Sequence, residues 1–295
     1  PGMYNFFMGN AFTGNLIKKM SGFAAERSMP AMHTTTLANW YKKHQLEIKT
    51  EGDKKVYLFC DEFTNYNDTQ IGIKAILLLE RLGYTVIIPT HIESGRAWLS
   101  KGLIRKAKEI ANTNIELLKD IITTESPLIG IEPSAILTFR DEYIDLASDT
   151  LFDAAKNLSK NVFFIDEFIA NEIKKGKITA DKFTRENKEI LLHGHCQQKA
   201  LSAVSCSVEI LSLPQNYTVQ TIASGCCGMA GSFGYEKEHY DLSMQIGEMV
   251  LFPAVRNKKE TVTVAAPGTS CRHQIKDGTH EIAKHPVEIL YEAML

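Results

Sequence analysis

Three landmarks recur along this chain at almost the same spacing, and that repetition restricts the fold more than any other feature. Cys60 and Cys196 stand 136 residues apart, the segment ESG at 93–95 precedes CCG at 226–228 by 133, and PSA at 133–135 precedes TSC at 269–271 by 136. An offset held at three places implies two related units in tandem. Each landmark also ends or follows a run with strand character. In the first half these runs are KKVYLFC (54–60), YTVIIP (84–89) and PLIGIEP (127–133), with helical spacing at 69–82, 100–122 and 141–158. In the second half they are KEILLHGHC (188–196), YTVQTIA (217–223) and TVTVAAPG (261–268), with helical spacing at 198–213 and 238–250. Alternating strands and helices favour parallel sheets covered by helices, whose chemistry gathers in loops at the carboxyl ends of the strands. The expected fold is α/β, a tandem of two pseudo-symmetric α/β units with mainly parallel sheets. Residues 1–53 read as an N-terminal linker arm, 54–165 as the first unit, 166–187 as a charged connector and 188–295 as the second unit.

Composition narrows the partners and the compartment. The 295 residues are 44% hydrophobic with a formal net charge of -2, so the overall balance points to neither nucleic acid nor an anionic membrane. Six unevenly placed cysteines are too few for a secreted disulfide scaffold, and a reducing cytoplasm is the expected location. No run of 18 apolar residues suggests a membrane-spanning helix. The chain opens at Pro1 in a segment that reads like a continuation, as expected of a piece of a longer polypeptide.

Four cysteines occupy three strand-end loops of the second unit: Cys196, the adjacent pair Cys226 and Cys227, and Cys271. Vicinal thiols bridge each other only through a strained ring, whereas thiolates ligate soft metals, and glycines on either side let the backbone turn tightly around them. Four thiolates are what one tetrahedral ion or one iron–sulfur cubane requires. Cys206, on the apolar side of a helix with Ala203 and Ile210, reads instead as a core residue. The matching first-unit positions are Cys60, Glu93, Ser94 and Ala135, a set that cannot surround a cluster, so this unit reads as one that kept its fold and lost its site. A zinc ion held by Cys60, Glu93 and His91 is the alternative there. His193, His195 and His273 flank the cysteines and are either tuning groups for a metal centre or ordinary strand-end histidines. Arg96, Glu132, Arg140, Asp141 and Glu142 read as a structural charge network, and the glycines at 225, 228, 231 and 234 match no phosphate-binding fingerprint.

The duplicated pattern C…CCG…C resembles the cysteine-rich CCG-domain family, which includes the heterodisulfide reductase B subunit, the glycolate oxidase iron–sulfur subunit and the anaerobic glycerol-3-phosphate dehydrogenase C subunit. The phrases LSKGLI (99–104), EPSAILTFRDEY (132–143), HGHCQQKAL (193–201), SGCCGMAGSFGYE (224–236) and GTSCRHQI (268–275) carry the resemblance over residues 54–295. It is strongest to the C-terminal region of FAD-linked oxidases in which a flavin domain and a ferredoxin-like segment precede such a tandem. One departure is that the family's C-x-x-C becomes Cys271-Arg272-His273-Gln274, which leaves four thiolates instead of five and puts a non-cubane cluster in doubt.

The resemblance implies an iron–sulfur electron-transfer module of an FAD-linked oxidoreductase acting on a D-2-hydroxy acid of the lactate, glycolate or 2-hydroxyglutarate type. It implies one 4Fe-4S cluster as the cofactor, bound by Cys196, Cys226, Cys227 and Cys271, with zinc as the substitute. FAD would sit only on a further domain or partner, and the partners would be a flavoprotein dehydrogenase domain or subunit and a ferredoxin-like domain. Peripheral membrane association would come through a partner. The chain alone is then not expected to turn over substrate. Two other readings remain: a zinc-holding scaffold that docks partner subunits, and a thiol–disulfide reductase-like catalyst.

Overall fold

The structure, a computed structural model, describes residues 1–47 and 54–295. Among these residues seven strands form two sheets, and every pairing between the strands is parallel. β1 (Lys54–Phe59), β2 (Tyr84–Ile87), β3 (Leu128–Gly130) and β4 (Val162–Phe164) lie in the order β2-β1-β3-β4. β5 (Lys188–Leu192), β6 (Tyr217–Thr221) and β7 (Thr263–Ala265) lie in the order β6-β5-β7. The fold is α/β, and the two units repeat one strand order. The first three strands start at 54, 84 and 128 and their counterparts at 188, 217 and 263, offsets of 134, 133 and 135. Beside β7, where β4 lies beside β3, Lys284 bonds to Val264 and Ala266 in a parallel bridge.

Both sheets feed a main hydrophobic core, which runs from Val56, Leu58 and Ile76 through Ile169 to Ile190, Ile210 and Leu290, and a smaller core of Leu191, Met229, Phe252, Val264 and Ile275 lies against the second sheet. Strands buried on both faces, such as the wholly buried Leu128–Gly130, read as short continuous apolar runs rather than as alternating ones. The units join by exchanging helices. Helix Ile165–Lys174, which follows β4, packs on helix Val204–Leu211 of the second unit, and the C-terminal helix Pro286–Glu292 packs on helix Thr69–Arg81 of the first. The stretch expected as a connector therefore begins as a packed helix. Its acidic and basic residues obscure an apolar stripe of Ile165, Phe168 and Ile169 that the partner unit covers.

That helix carries a buried acid. Asp166 is fully buried, accepts a hydrogen bond from the Ser207 hydroxyl, and Ser207 in turn accepts one from Gln198 Nε2 at 2.7 Å. Burial raises its pKa from 3.8 to about 7. A carboxyl that is easier to protonate in the folded than in the unfolded state favours folding most below the unfolded value, near pH 4, and that contribution is lost as the pH rises through 7. Wild type is expected to lose about 2–3 kcal/mol between pH 5 and pH 8 that Asp166→Asn does not lose. Urea unfolding of both proteins at the two pH values checks this, and parallel pH profiles would rule it out.

Residues 1–47 differ from a linker arm, because their apolar and basic side chains find partners on both units; the remaining arm residues, 48–53, lie outside the described ones. Helices Gly2–Gly9 and Ala11–Met20 form a hairpin, with the Asn10 side chain accepting from Phe12 and Thr13 at the start of the second. Met3, Phe6, Phe12, Leu16 and Met20 leave apolar side chains exposed on it. Phe23 bridges antiparallel to Glu236 beyond the glycine-rich loop, and Arg27 is buried in the second unit. Helix Leu37–Glu47 then sets Leu37 and Tyr41 into the core of the first unit, where Tyr41 donates to the Val86 carbonyl at 2.8 Å. Among the described residues no helix is long and apolar enough to cross a membrane.

Candidate metal centre

All four second-unit cysteines sit past the carboxyl ends of their strands. Cys196 opens helix Cys196–Leu201 after β5, Cys226 and Cys227 lie in the loop after β6, and Cys271 is in the first turn of helix Thr269–Thr279 after β7. β5 and β7 flank the point where the strand order reverses, which is where open parallel sheets form a crevice. The thiols interact in a row, Cys196 with Cys226, Cys226 with Cys227 and Cys227 with Cys271. Cys271 also faces His193. Burial is graded along the row, from the exposed Cys196 and half-buried Cys226 to the buried Cys227 and Cys271.

Four thiols this close cannot all ionise, and the row divides accordingly. Contact with Cys196 and Cys227 holds Cys226 well below the ordinary thiol range, and contact with Cys227 does the same for Cys271. Cys196 and Cys227 are pushed up, chiefly because each shares its proton with the neighbouring Cys226. The Gly228 N–H, 3.3 Å from the Cys226 sulfur, adds a donor. Such a row presents thiolate acceptors and releases protons when a cation takes their place.

The loop holding the pair is tight. Gly228 has φ +100°, and a Cβ there would stand 2.3 Å from the Ser243 carbonyl oxygen. Gly228→Ala is expected to cost about 2–4 kcal/mol in urea unfolding, from backbone strain and overpacking together. A loss below about 1 kcal/mol would show that the loop relaxes instead. Gln274, at the position of the family's fifth cysteine, is buried and donates to the Ser243 carbonyl at 2.9 Å, so it ties two helices together.

The first unit holds the Cys271 turn in place. Glu132 Oε1 accepts from the Ser134 N–H and hydroxyl at 3.2 and 2.7 Å, while its Oε2 accepts from the Thr269 N–H at 2.8 Å. Asp68 pairs with Arg272 at 2.6 Å and accepts from the Thr269 hydroxyl. Residues of the arm and both units line a half-open cavity of about 540 Å³ at the cysteines, among them Phe23, Phe63, Tyr235, Cys196, Cys226 and Cys227. Nothing local in the sequence marks Asp68 and Arg27 as site residues, since their partners lie about 200 residues away.

The matching first-unit positions fall after the matching strands but are occupied by internal bonds. Ser94 donates through its N–H and hydroxyl to Glu62, Tyr143 donates to the Ser94 carbonyl, and Ala135 is wholly buried. The zinc set expected as an alternative here does not form. His91 Nε2 accepts from the Cys60 N–H at 3.2 Å, its Nδ1 is 2.8 Å from the Ile92 carbonyl, and Glu93 bonds to Trp98, so both ring nitrogens and a carboxylate oxygen are taken. Cys206 is buried in the core. The charge network pairs Arg96 with Glu142 and Arg140 with Glu167. Of the flanking histidines, His195 caps its helix by accepting from Gln197, whereas His193 faces the thiols.

No protein-family profile matches the chain. Against curated proteins it is 25% identical over 303 residues to D-2-hydroxyglutarate dehydrogenase of Escherichia coli (strain K12), which covers 99% of this chain and 28% of that protein. It is 25% identical over 270 residues to the C subunit of anaerobic glycerol-3-phosphate dehydrogenase from the same strain, covering 91% of this chain and 66% of that relative. Lactate utilization protein A of Bacillus subtilis (strain 168) is 27% identical over 223 residues, 74% of this chain and 87% of that protein. These relatives fit the cysteine-rich CCG family that the motifs resemble. The chain spans little more than a quarter of the length of the D-2-hydroxyglutarate dehydrogenases it matches.

Proposed function

We propose that this chain is the iron–sulfur electron-transfer module of an oxidoreductase, with Cys196, Cys226, Cys227 and Cys271 as ligands of one 4Fe-4S cluster. The observation that carries the reading is the row of four interacting sulfurs at the strand ends, together with the orphaned imidazole nitrogen of His193 beside it. Sulfur and imidazole donors fit iron or zinc and are a poor match for magnesium or calcium, which demand oxygen. A bound cluster would supply one-electron transfer at a potential set by burial and by hydrogen bonds to sulfur. Cys227 and Cys271 keep the inner side dry, Gly228 offers its N–H to sulfur, and Asp68 and Glu132 fix the turn that carries Cys271. Cys196 and Cys226 face the cavity, the short path for an electron to leave or enter.

The names of the relatives favour a parent enzyme that oxidises a D-2-hydroxy acid or a similar alcohol. Hydride chemistry would take place on FAD in a flavoprotein domain or subunit, with a ferredoxin-like domain relaying electrons here. The chain alone is then inert towards D-lactate, glycolate and 2-hydroxyglutarate. Iron, sulfide and zinc analysis of anaerobically isolated protein tests the assignment. About four irons and four sulfides per chain are expected for a cubane. Stoichiometric zinc without sulfide would replace this reading with the scaffold.

A further inference from the structure

His193 directly follows β5, and its N–H donates to the Ala265 carbonyl of β7 at 2.8 Å, so the sheet fixes its backbone. Its side chain is wholly buried. Nδ1 lies 2.7 Å from the Ser224 hydroxyl, two residues before the cysteine pair, and Nε2 is buried without a hydrogen-bond partner. A ring nitrogen of His193 and the sulfurs of Cys227 and Cys271 all lie within 4.8 Å of one another. With bonds of about 2.1–2.3 Å, the donors of one tetrahedral ion stand about 3.5–4 Å apart, so these three atoms sit close to ligand spacing already. Leaving a buried imidazole nitrogen without a partner costs free energy, and such a group points to an unseen partner.

We infer that His193 ligates the metal through Nε2 beside Cys227 and Cys271, in the place that one outer thiolate of the row would otherwise take. The inference rests on the reading that those cysteines hold a metal. An Nδ1 proton donated to the Ser224 hydroxyl would leave the Nε2 lone pair free for the metal, the usual arrangement in which an outer hydrogen bond fixes the tautomer of a ligating histidine. The place of the family's fifth thiolate offers no competitor, because the Gln274 amide is bonded to Ser243. A neutral imidazole in place of a thiolate removes one negative charge from the centre, and histidine ligation of iron–sulfur centres raises their reduction potential. Ser224 would be a positioning residue, acting only through the ring.

Pulsed EPR on reduced, iron-loaded wild type grown with 15N-histidine tests the bond without any substitution. A strong coupling that changes with the isotope is expected, and the weak coupling of an imidazole that only hydrogen-bonds to sulfur would overturn the inference. His193→Gln should remove that coupling while iron remains bound, and Ser224→Ala should weaken it. Metal-free protein titrated with Co²⁺ provides a separate readout. His193→Gln should lower Co²⁺ affinity at least tenfold and Ser224→Ala roughly tenfold or more, with thermal melting to confirm that both variants fold. Unchanged Co²⁺ affinity and visible spectrum in His193→Gln would also overturn it. Absence of iron and sulfide from wild type would instead count against the cluster, and the Co²⁺ result would still decide the ligand.

Discussion

Replacing Cys227 or Cys271 with alanine is expected to reduce bound iron at least tenfold while leaving the metal-free protein folded. Both thiols are buried in the small core beside Met229, Phe252 and Ile275, where alanine is a tolerable substitute for a cysteine acting as a small hydrophobe. Their cost appears only when metal is to be held, because each removes a donor from the inner end of the row. Cys60→Ala is the matched control. Cys60 is equally buried, but its loop is closed by His91 and its unit keeps no other cysteine, so iron content is expected to stay at the wild-type level. Iron and sulfide per chain, read beside the circular dichroism of each variant, check both outcomes. Iron loss in Cys60→Ala would show that the first unit supplies a ligand, and the assignment of one self-contained site would then be withdrawn.

Arg27→Ala is expected to destabilise the protein by about 3–5 kcal/mol, more than Gly228→Ala does. The side chain is wholly buried although it lies in a segment with the sequence character of a linker. Nε donates to the Gly234 carbonyl at 2.6 Å, one Nη donates to the Ser243 hydroxyl at 2.8 Å, and the other pairs with Asp277 at 3.4 Å. The guanidinium also stacks over Tyr240 at 4.9 Å. Gly234 belongs to the glycine-rich loop, Ser243 to the helix that packs against Gly228, and Asp277 to the helix that begins near Cys271. Removing the cation leaves Asp277 without its charge partner and frees the loop, so urea unfolding should shift and iron retention should fall together. Arg27→Lys should recover only part of the loss, since one ammonium cannot reproduce three diverging donors. An effect below about 1 kcal/mol would mean that solvent replaces these contacts, contrary to their burial.

Much of the fold is legible in the sequence because parallel strands buried on both faces are short, apolar and bounded by glycine or helix starts. All six strands expected from the sequence are present near the expected positions. β4 escapes such a reading because Val162–Phe164 is only three residues long and runs straight into the acidic Ile165–Lys174 helix. The helical stretch at 198–213 breaks into two at Ser202 and Ala203, whose backbone leaves the helical region. No local pattern marks that break.

The repeat, the α/β class and the grouping of four cysteines at strand ends follow from the sequence alone, since they depend on spacing and on the alternation of strand and helix. Long-range packing is what makes residues 1–47 part of the body, has each unit lend a helix to the other, and sets Asp68, Glu132 and Arg27 as braces of the cysteine loops. It also selects which histidine faces the thiols. His193, His195 and His273 look alike in sequence, but the side chain of His195 turns to cap a helix, whereas that of His193 points towards sulfur and has no other partner for Nε2. The reason is physical: a period of two or 3.6 residues is written locally, whereas the partner of a buried charge is chosen by which distant segments the core brings together.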